Sequence, residues 1–204
     1  MAEYLSESII DSLSSDLYDL NYTLGTRRAV DWLIRKLKTI QVDRRQLMRD
    51  NERLTTKAFL GGMFLYYYDP KHKKTLPWYD TFPLVIPIKV DSTGFEGLNL
   101  HYISPRERWT FLRELSGYTT NTKYDETTKF RLTYRLLSNV SALDQYRPTY
   151  HRYLWAHVRS QFLSIDANDW HIASVLPVAN FQKKTERQVW RESRKIRRRR
   201  IQFG

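Results

Sequence analysis

The run Arg191-Glu192-Ser193-Arg194-Lys195-Ile196-Arg197-Arg198-Arg199-Arg200, preceded by Lys183, Lys184 and Arg187, is the densest block of chemistry in the chain. Guanidinium groups take phosphate oxygens two at a time and keep their charge at any accessible pH. Such a run predicts contact with a polyanion, steeply salt-dependent and blind to base sequence. The plainer readings are a solvated tail or, in a nucleated host, a localisation signal. Arg44, Arg45, Arg49 and Arg53 form a second cationic set, readable as phosphate contacts or as a solvated helix face. The third is Lys71, Lys73 and Lys74, on a turn beside Trp78 and Tyr79. Cations next to aromatics can grip a strand end by charge and stacking. On the plainer reading, Trp78 and Tyr79 anchor a loop to the core.

Enzymatic chemistry finds less support. The histidines His72, His101, His151, His157 and His171 are scattered, and His151 and His157 do not share a helix face at that spacing. There is no His-Glu-x-x-His pair, no glycine-rich phosphate loop and no nucleophile elbow. A metal-dependent nuclease would gather acids and a lysine at a sheet edge. Asp80, Asp91 and Glu96 lie near the predicted strands, but no Glu-x-Lys follows, and Asp80 reads best as a turn or structural pair. The expectation is therefore no catalytic residue, metal ligand, cofactor or small-molecule substrate, with a nuclease acting on DNA ends kept as an outsider.

Bulk properties narrow the field. The chain has 204 residues, a formal net charge of +12 and no cysteine. Disulfides and thiolate metal sites are excluded. The charge favours anionic partners, nucleic acid first among them. Aromatic residues reach 14%, enough to build either a core or a contact surface. No apolar run has the ~20 residues of a membrane span, so no membrane partner is expected. The start Met1-Ala2-Glu3 lacks a basic leader, which predicts assembly in the cytoplasm.

These residues need elements to position them. An acidic helix or arm is expected over 1–20, with Ile9, Ile10, Leu13 and Leu17 on one face. Its acids would be solvated, or would lie on a basic patch of this chain or a neighbour. A single α+β domain follows over 21–182, and a basic helical arm over 183–204 that orders as an extended helix or on a partner. Within the domain, 26–53 reads as one helical stretch. Residues 58–68, 83–90 and 95–103 read as strands of a small bent antiparallel sheet over 58–104, with a barrel as its closed form. Pro83 and Pro87 point to an edge or bent strand. Residues 105–200 return to helix: from Ser104-Pro105, over 125–140, over 150–162, and from a cap at Asn168-Asp169 to Pro177.

The block Gly62-Met63-Phe64-Leu65-Tyr66-Tyr67-Tyr68-Asp69-Pro70-Lys71-His72-Lys73-Lys74-Thr75-Leu76-Pro77-Trp78-Tyr79-Asp80 running on to Val85 resembles structural proteins of T-even-type contractile-tailed phages and their cyanophage relatives. The likeness continues through Gly94 to Pro105, Tyr153-Leu154 to Phe162, Asp169-Trp170, Leu176-Pro177 and Phe181, covering roughly 55–200. The family it resembles is the DNA end protector, a minor head or neck component. That resemblance implies a non-enzymatic virion protein capping the end of packaged double-stranded DNA, docked on portal or neck proteins. It carries no catalytic residues. The alternative is a structural tail or baseplate hub component whose basic arm binds a protein partner.

Overall fold

The computed structural model describes residues 8–23, 26–50, 52–119 and 146–201, leaving out the side chains of 114, 116–119 and 197–201. The strands are β1 (Leu54–Thr55), β2 (Met63–Leu65), β3 (Tyr79–Asp80), β4 (Leu84–Val90), β5 (Gly94–Asn99), β6 (Tyr150–Leu154), β7 (Phe162–Ile165) and β8 (Phe181–Gln182). Six of them form a sheet in the order β1-β7-β2-β4-β5-β6, and β3 pairs with β8. Every pairing is antiparallel. The helices are α1 (Ile9–Asp19), α2 (Arg27–Lys36), α3 (Arg44–Leu47), α4 (Pro105–Thr119), α5 (Trp170–Ala173) and α6 (Glu186–Ile201).

This is an α+β fold built on an antiparallel sheet. The sheet ends at β1 and β6 and does not close, so the barrel alternative falls. It also reaches well beyond residues 58–104. The stretch 150–162, expected as a helix, is β6, a 3-10 turn at Trp155–His157 and the approach to β7. The match of Leu154, Trp155 and Val158 to helical spacing lost to the strand preference of Tyr150, Tyr153 and Phe162. Tyr153 lies opposite Phe95 in the β5–β6 register, with the rings stacked at 5.2 Å. A cross-strand aromatic pair of this kind is worth up to about 1 kcal/mol.

Pro87 bends β4 as expected. The register against β5 shifts between Pro87 and Lys89, a bulge that absorbs the missing N–H. Yet β4 is central, not an edge: β2 pairs with its first two residues, Leu84 and Val85, and β5 runs along its other side. Pro87 lies past the end of β2, where no ladder partner requires its donor.

Alternation along the strands sends side chains to two faces. Met63, Leu65, Leu84, Ile86 and Leu98 join the main core beneath the helices. Phe64, Val85, Phe95, Tyr153 and Phe162 form an aromatic cluster on the opposite face, with Tyr66 and Tyr68. Helix α1 seals the first core with Ile10, Leu13 and Leu17, each contributing about 2 kcal/mol by area burial. Its acids meet this chain's own bases: Asp11 binds Arg53, and Asp16 lies 3.1 Å from Lys36.

The predicted helix over 26–53 is broken. α2 starts on Thr26, whose hydroxyl takes the Ala29 N–H at 3.2 Å. It stops before the poor helix formers Thr39, Ile40 and Val42, and Asp43 then caps α3. α4 opens where Ser104-Pro105 predicts, with the Glu107 carboxylate on the Ser104 N–H at 2.8 Å. The predicted cap at Asn168-Asp169 does not form, because Asp169 turns to Arg53 instead. The helix expected over 125–140 lies outside the described residues.

Candidate functional site

The basic C-terminal segment is a helix, and its first half is packed on the body. Thr185 and Gln188 form a capping box at its start: the Gln188 side chain accepts the Thr185 N–H at 2.9 Å, and Thr185 Oγ1 accepts the Gln188 N–H at 3.4 Å. Val189 and Ser193 face inward and are fully buried. Arg187, Arg191 and Arg194 recur at helical spacing on the other face and are exposed.

A buried polar network holds the helix in place. Trp190 Nε1 donates to the His101 carbonyl at 2.9 Å. Arg108, fully enclosed, donates to the carbonyls of Leu100 (2.7 Å), Ile103 (2.9 Å) and Ser174 (2.9 Å). Burial pulls its guanidinium down to about 10, still charged at neutral pH. Asp80 lies 2.7 Å from His101 Nδ1 and accepts the N–H groups of Phe82 (3.0 Å) and Asn180 (3.1 Å). Burial opposes charge on both side chains. Three donors keep Asp80 ionised, while burial holds His101 below its ordinary value as a neutral donor. Asp80 is thus the structural pair its sequence context suggested, and it ties the β3 turn to the segment leading into α6.

Lys183 makes the second attachment. Its backbone occupies the left-handed region at φ 69, uncommon for a side chain of this size. Its ammonium donates to the carbonyls of Lys73 (2.7 Å), Lys74 (3.1 Å) and Leu76 (2.6 Å). Lys184 then sits 3.8 Å from the centre of the Trp78 ring, a cation–π contact. The basic turn and the basic helix, separate in sequence, become one surface.

That surface borders a cleft of about 590 Å³ between the 68–79 loop, the outer edge of β6 and α6. Trp78, Tyr79, Tyr102, Tyr150, His151 and Tyr153 line it, with Lys71 and Arg147 among the cations and Ile196 from α6. Tyr102 and His151 are packed with ring centres 4.1 Å apart. His151 Nε2 donates to the Pro148 carbonyl at 3.0 Å, leaving Nδ1 as the acceptor, and burial pushes the imidazole down to about 4. Tyr150 donates to Glu96; burial and that carboxylate push its phenol up to about 12.

The sequence-predicted cations fare differently. Lys71 lines the cleft, Lys74 is exposed on the same turn, Lys184 rests on Trp78, and Arg187, Arg191 and Arg194 occupy the exposed face of α6. Lys73 is on the turn too, paired with Asp69 at 2.8 Å, and Lys195 is paired with Glu192 at 3.2 Å. Arg45 and Arg49 are exposed on and beside α3. Arg44 and Arg53 are engaged within the chain. Arg44 donates to the carbonyls of Val178 (2.6 Å) and Ala179 (2.7 Å). Arg53, 13% exposed, is ringed by Asp11, Asp50, Asp166 and Asp169. Helix α6 continues through Ile201, but the side chains of Arg197, Arg198, Arg199 and Arg200 lie outside the described residues.

Sequence reasoning missed Arg147, Tyr150, His151 and Tyr102 as cleft residues. The available signal was the two-residue alternation of Tyr150, Arg152 and Leu154 against His151 and Tyr153. The acids considered for metal chemistry are otherwise engaged. Arg152 and Thr93 hold Asp91 well below the usual carboxylate range, and Glu96 serves Tyr150, Lys89 and Arg152. Among the described residues no three histidines or acids gather as a metal site. No described helix is long and apolar enough to cross a membrane.

A family model described as phage T4 terminal DNA protecting protein matches residues 31–196. The match spans the basic turn, the cleft, both attachments of α6 and the exposed face of that helix up to Lys195. No curated protein and no solved structure matches the chain.

Proposed function

This chain belongs to the phage T4 terminal DNA protecting protein family, and on that premise we propose that it is a non-enzymatic virion protein that binds the end of packaged duplex DNA at the head–tail junction. The observation that carries the reading is Lys183. By binding three carbonyls of the 71–76 turn, it ties Lys71 and Lys74 to the segment that leads into α6, whose exposed face carries Arg187, Arg191 and Arg194. A fixed array of this kind suits phosphates, pays little ordering entropy and reads no sequence. The ion-paired face of α1, with the exposed Tyr18 and Leu20, offers a less basic surface for portal or neck proteins. Assembly would take place in the host cytoplasm.

Binding of a linear duplex, with a closed circle as competitor, tests this across a salt series. The expected result is preference for linear DNA, a steep log–log salt slope and protection of the ends from exonuclease. Equal affinity for the circle would overturn end recognition. No binding at low salt would turn the basic surface toward an acidic protein partner, as in a tail or baseplate component.

A further inference from the structure

We infer that the aromatic cleft beside α6 is a pocket for one or two unpaired nucleotides at the DNA end, held by base stacking. The inference rests on the end-binding reading and adds what part of the end is recognised.

Three observations carry it. The cleft, at about 590 Å³, falls within the range of small-molecule sites, roughly 300–1,000 Å³, and is far too narrow to admit a duplex. Its walls are rings: Trp78, Tyr102, Tyr150 and His151 all line it. Aromatic faces grip any base without regard to sequence, but only after that base has left the stack. The electrostatics also select the ligand. Lys71 and Arg147 are exposed and line the cleft, with no ion pair among the described residues, so they suit the phosphates of an entering strand. His151, held neutral, can accept a hydrogen bond from a base without repelling or attracting charge.

The position fits the same occupant. Lys184 covers one face of Trp78, so the phosphate-binding surface begins where the aromatic wall ends. A strand end entering the cleft would leave its duplex beside Lys184 and the basic 71–74 turn. A peptide could pack on the same rings, but the exposed Lys71 and Arg147 at the cleft favour an occupant that brings phosphates.

The test compares a blunt linear duplex with the same duplex carrying a short thymidine overhang, by fluorescence anisotropy at matched salt. The wild-type protein should bind the overhang form about tenfold more tightly, the scale of one base–aromatic stack. Tyr150→Ala should abolish most of that preference while keeping blunt-end affinity within about twofold; Trp78→Ala should abolish it too, with a further loss of blunt-end affinity because Lys184 loses the ring it rests on. Tyr150→Phe keeps the ring and should retain the preference. Tyr150 is 37% exposed, so its substitution does not threaten folding. Equal affinity for the two duplexes overturns the pocket and leaves end binding intact. A preference that survives both alanine variants also overturns it, leaving the cleft to a protein partner. Failure to bind either duplex overturns both readings.

Discussion

Lys183 and Lys184 are neighbours with opposite duties: Lys183 spends its ammonium on three carbonyls of the 71–76 turn, while Lys184 lays its own over the Trp78 ring at 3.8 Å. Only the second keeps its charge facing outward. Lys184→Ala should therefore lower duplex affinity at low salt and reduce the log–log salt slope by about 0.9, the value of one lost phosphate contact. Lys183→Ala should act differently. It unties the turn, so amide hydrogen exchange should rise across 71–76, and affinity should fall through disorder of Lys71 and Lys74. Matched salt slopes and exchange maps for the two variants would refute this division of labour.

The arginines of the second cationic set divide in the same way. Arg53 is 13% exposed and lies 3.0 Å from Asp169, a carboxylate only 9% exposed. Burial raises Asp169 from its ordinary value, against the pull of Arg53. Removing the guanidinium would leave clustered carboxylates unpaired, and Arg53→Ala should cost about 3 kcal/mol. Arg45→Ala and Arg49→Ala, at exposed positions, should change stability by less than about 0.5 kcal/mol. Urea unfolding midpoints decide the matter. A stable Arg53→Ala protein would mean that the cluster is dispensable.

Where local chemistry decided the structure, the sequence was readable. Ser104-Pro105 opens a helix because cap and ring geometry are local, and Pro87 bends β4 because its missing N–H is local too. What depended on distant partners was not. The 150–165 segment joins the sheet because Phe95 awaits Tyr153 across the β5–β6 ladder, a contact that no window of local periodicity contains. The site follows the same division. The runs of Lys and Arg announced a polyanion surface. That Arg44 and Arg53 serve the interior, and that Trp78 faces a cleft walled by β6, depends on residues about 70 to 130 positions away.

Gly94 begins β5 at the tip of the hairpin with β4 and lies opposite Leu154. A Cβ there would stand 2.0 Å from the Tyr153 carbonyl oxygen, backbone that cannot retreat without breaking the β5–β6 ladder. Gly94→Ala should destabilise the protein by about 2 to 4 kcal/mol. Because β6 forms one wall of the cleft, overhang preference should fall with it, even below the unfolding transition. Gly61 offers the control: it has open space around its Cα but a φ of 76, so Gly61→Ala should cost only about 1 kcal/mol of backbone strain. A Gly94→Ala protein as stable as Gly61→Ala would show that β6 is free to shift.

His151 makes the wall of the cleft sensitive to acid. Burial pushes its imidazole from an ordinary value near 6.5 down to about 4. Between those values the unfolded chain carries a proton that the folded one refuses, so stability rises with pH and is lost as pH falls. The protonation penalty should reach roughly 2 kcal/mol by pH 4, allowing for the part of the ring that solvent reaches. His101 is depressed by burial and adds in the same sense. Asp169 and Glu186 are raised by burial and act against it. The informative quantity is therefore a difference: melting temperature against pH for the wild type and for His151→Gln. The variant should be less stable at neutral pH, where it lacks the packing against Tyr102, and should lose less as pH drops from 6.5 toward 4. Parallel curves would mean that His151 takes up its proton in the folded cleft as readily as in the unfolded chain.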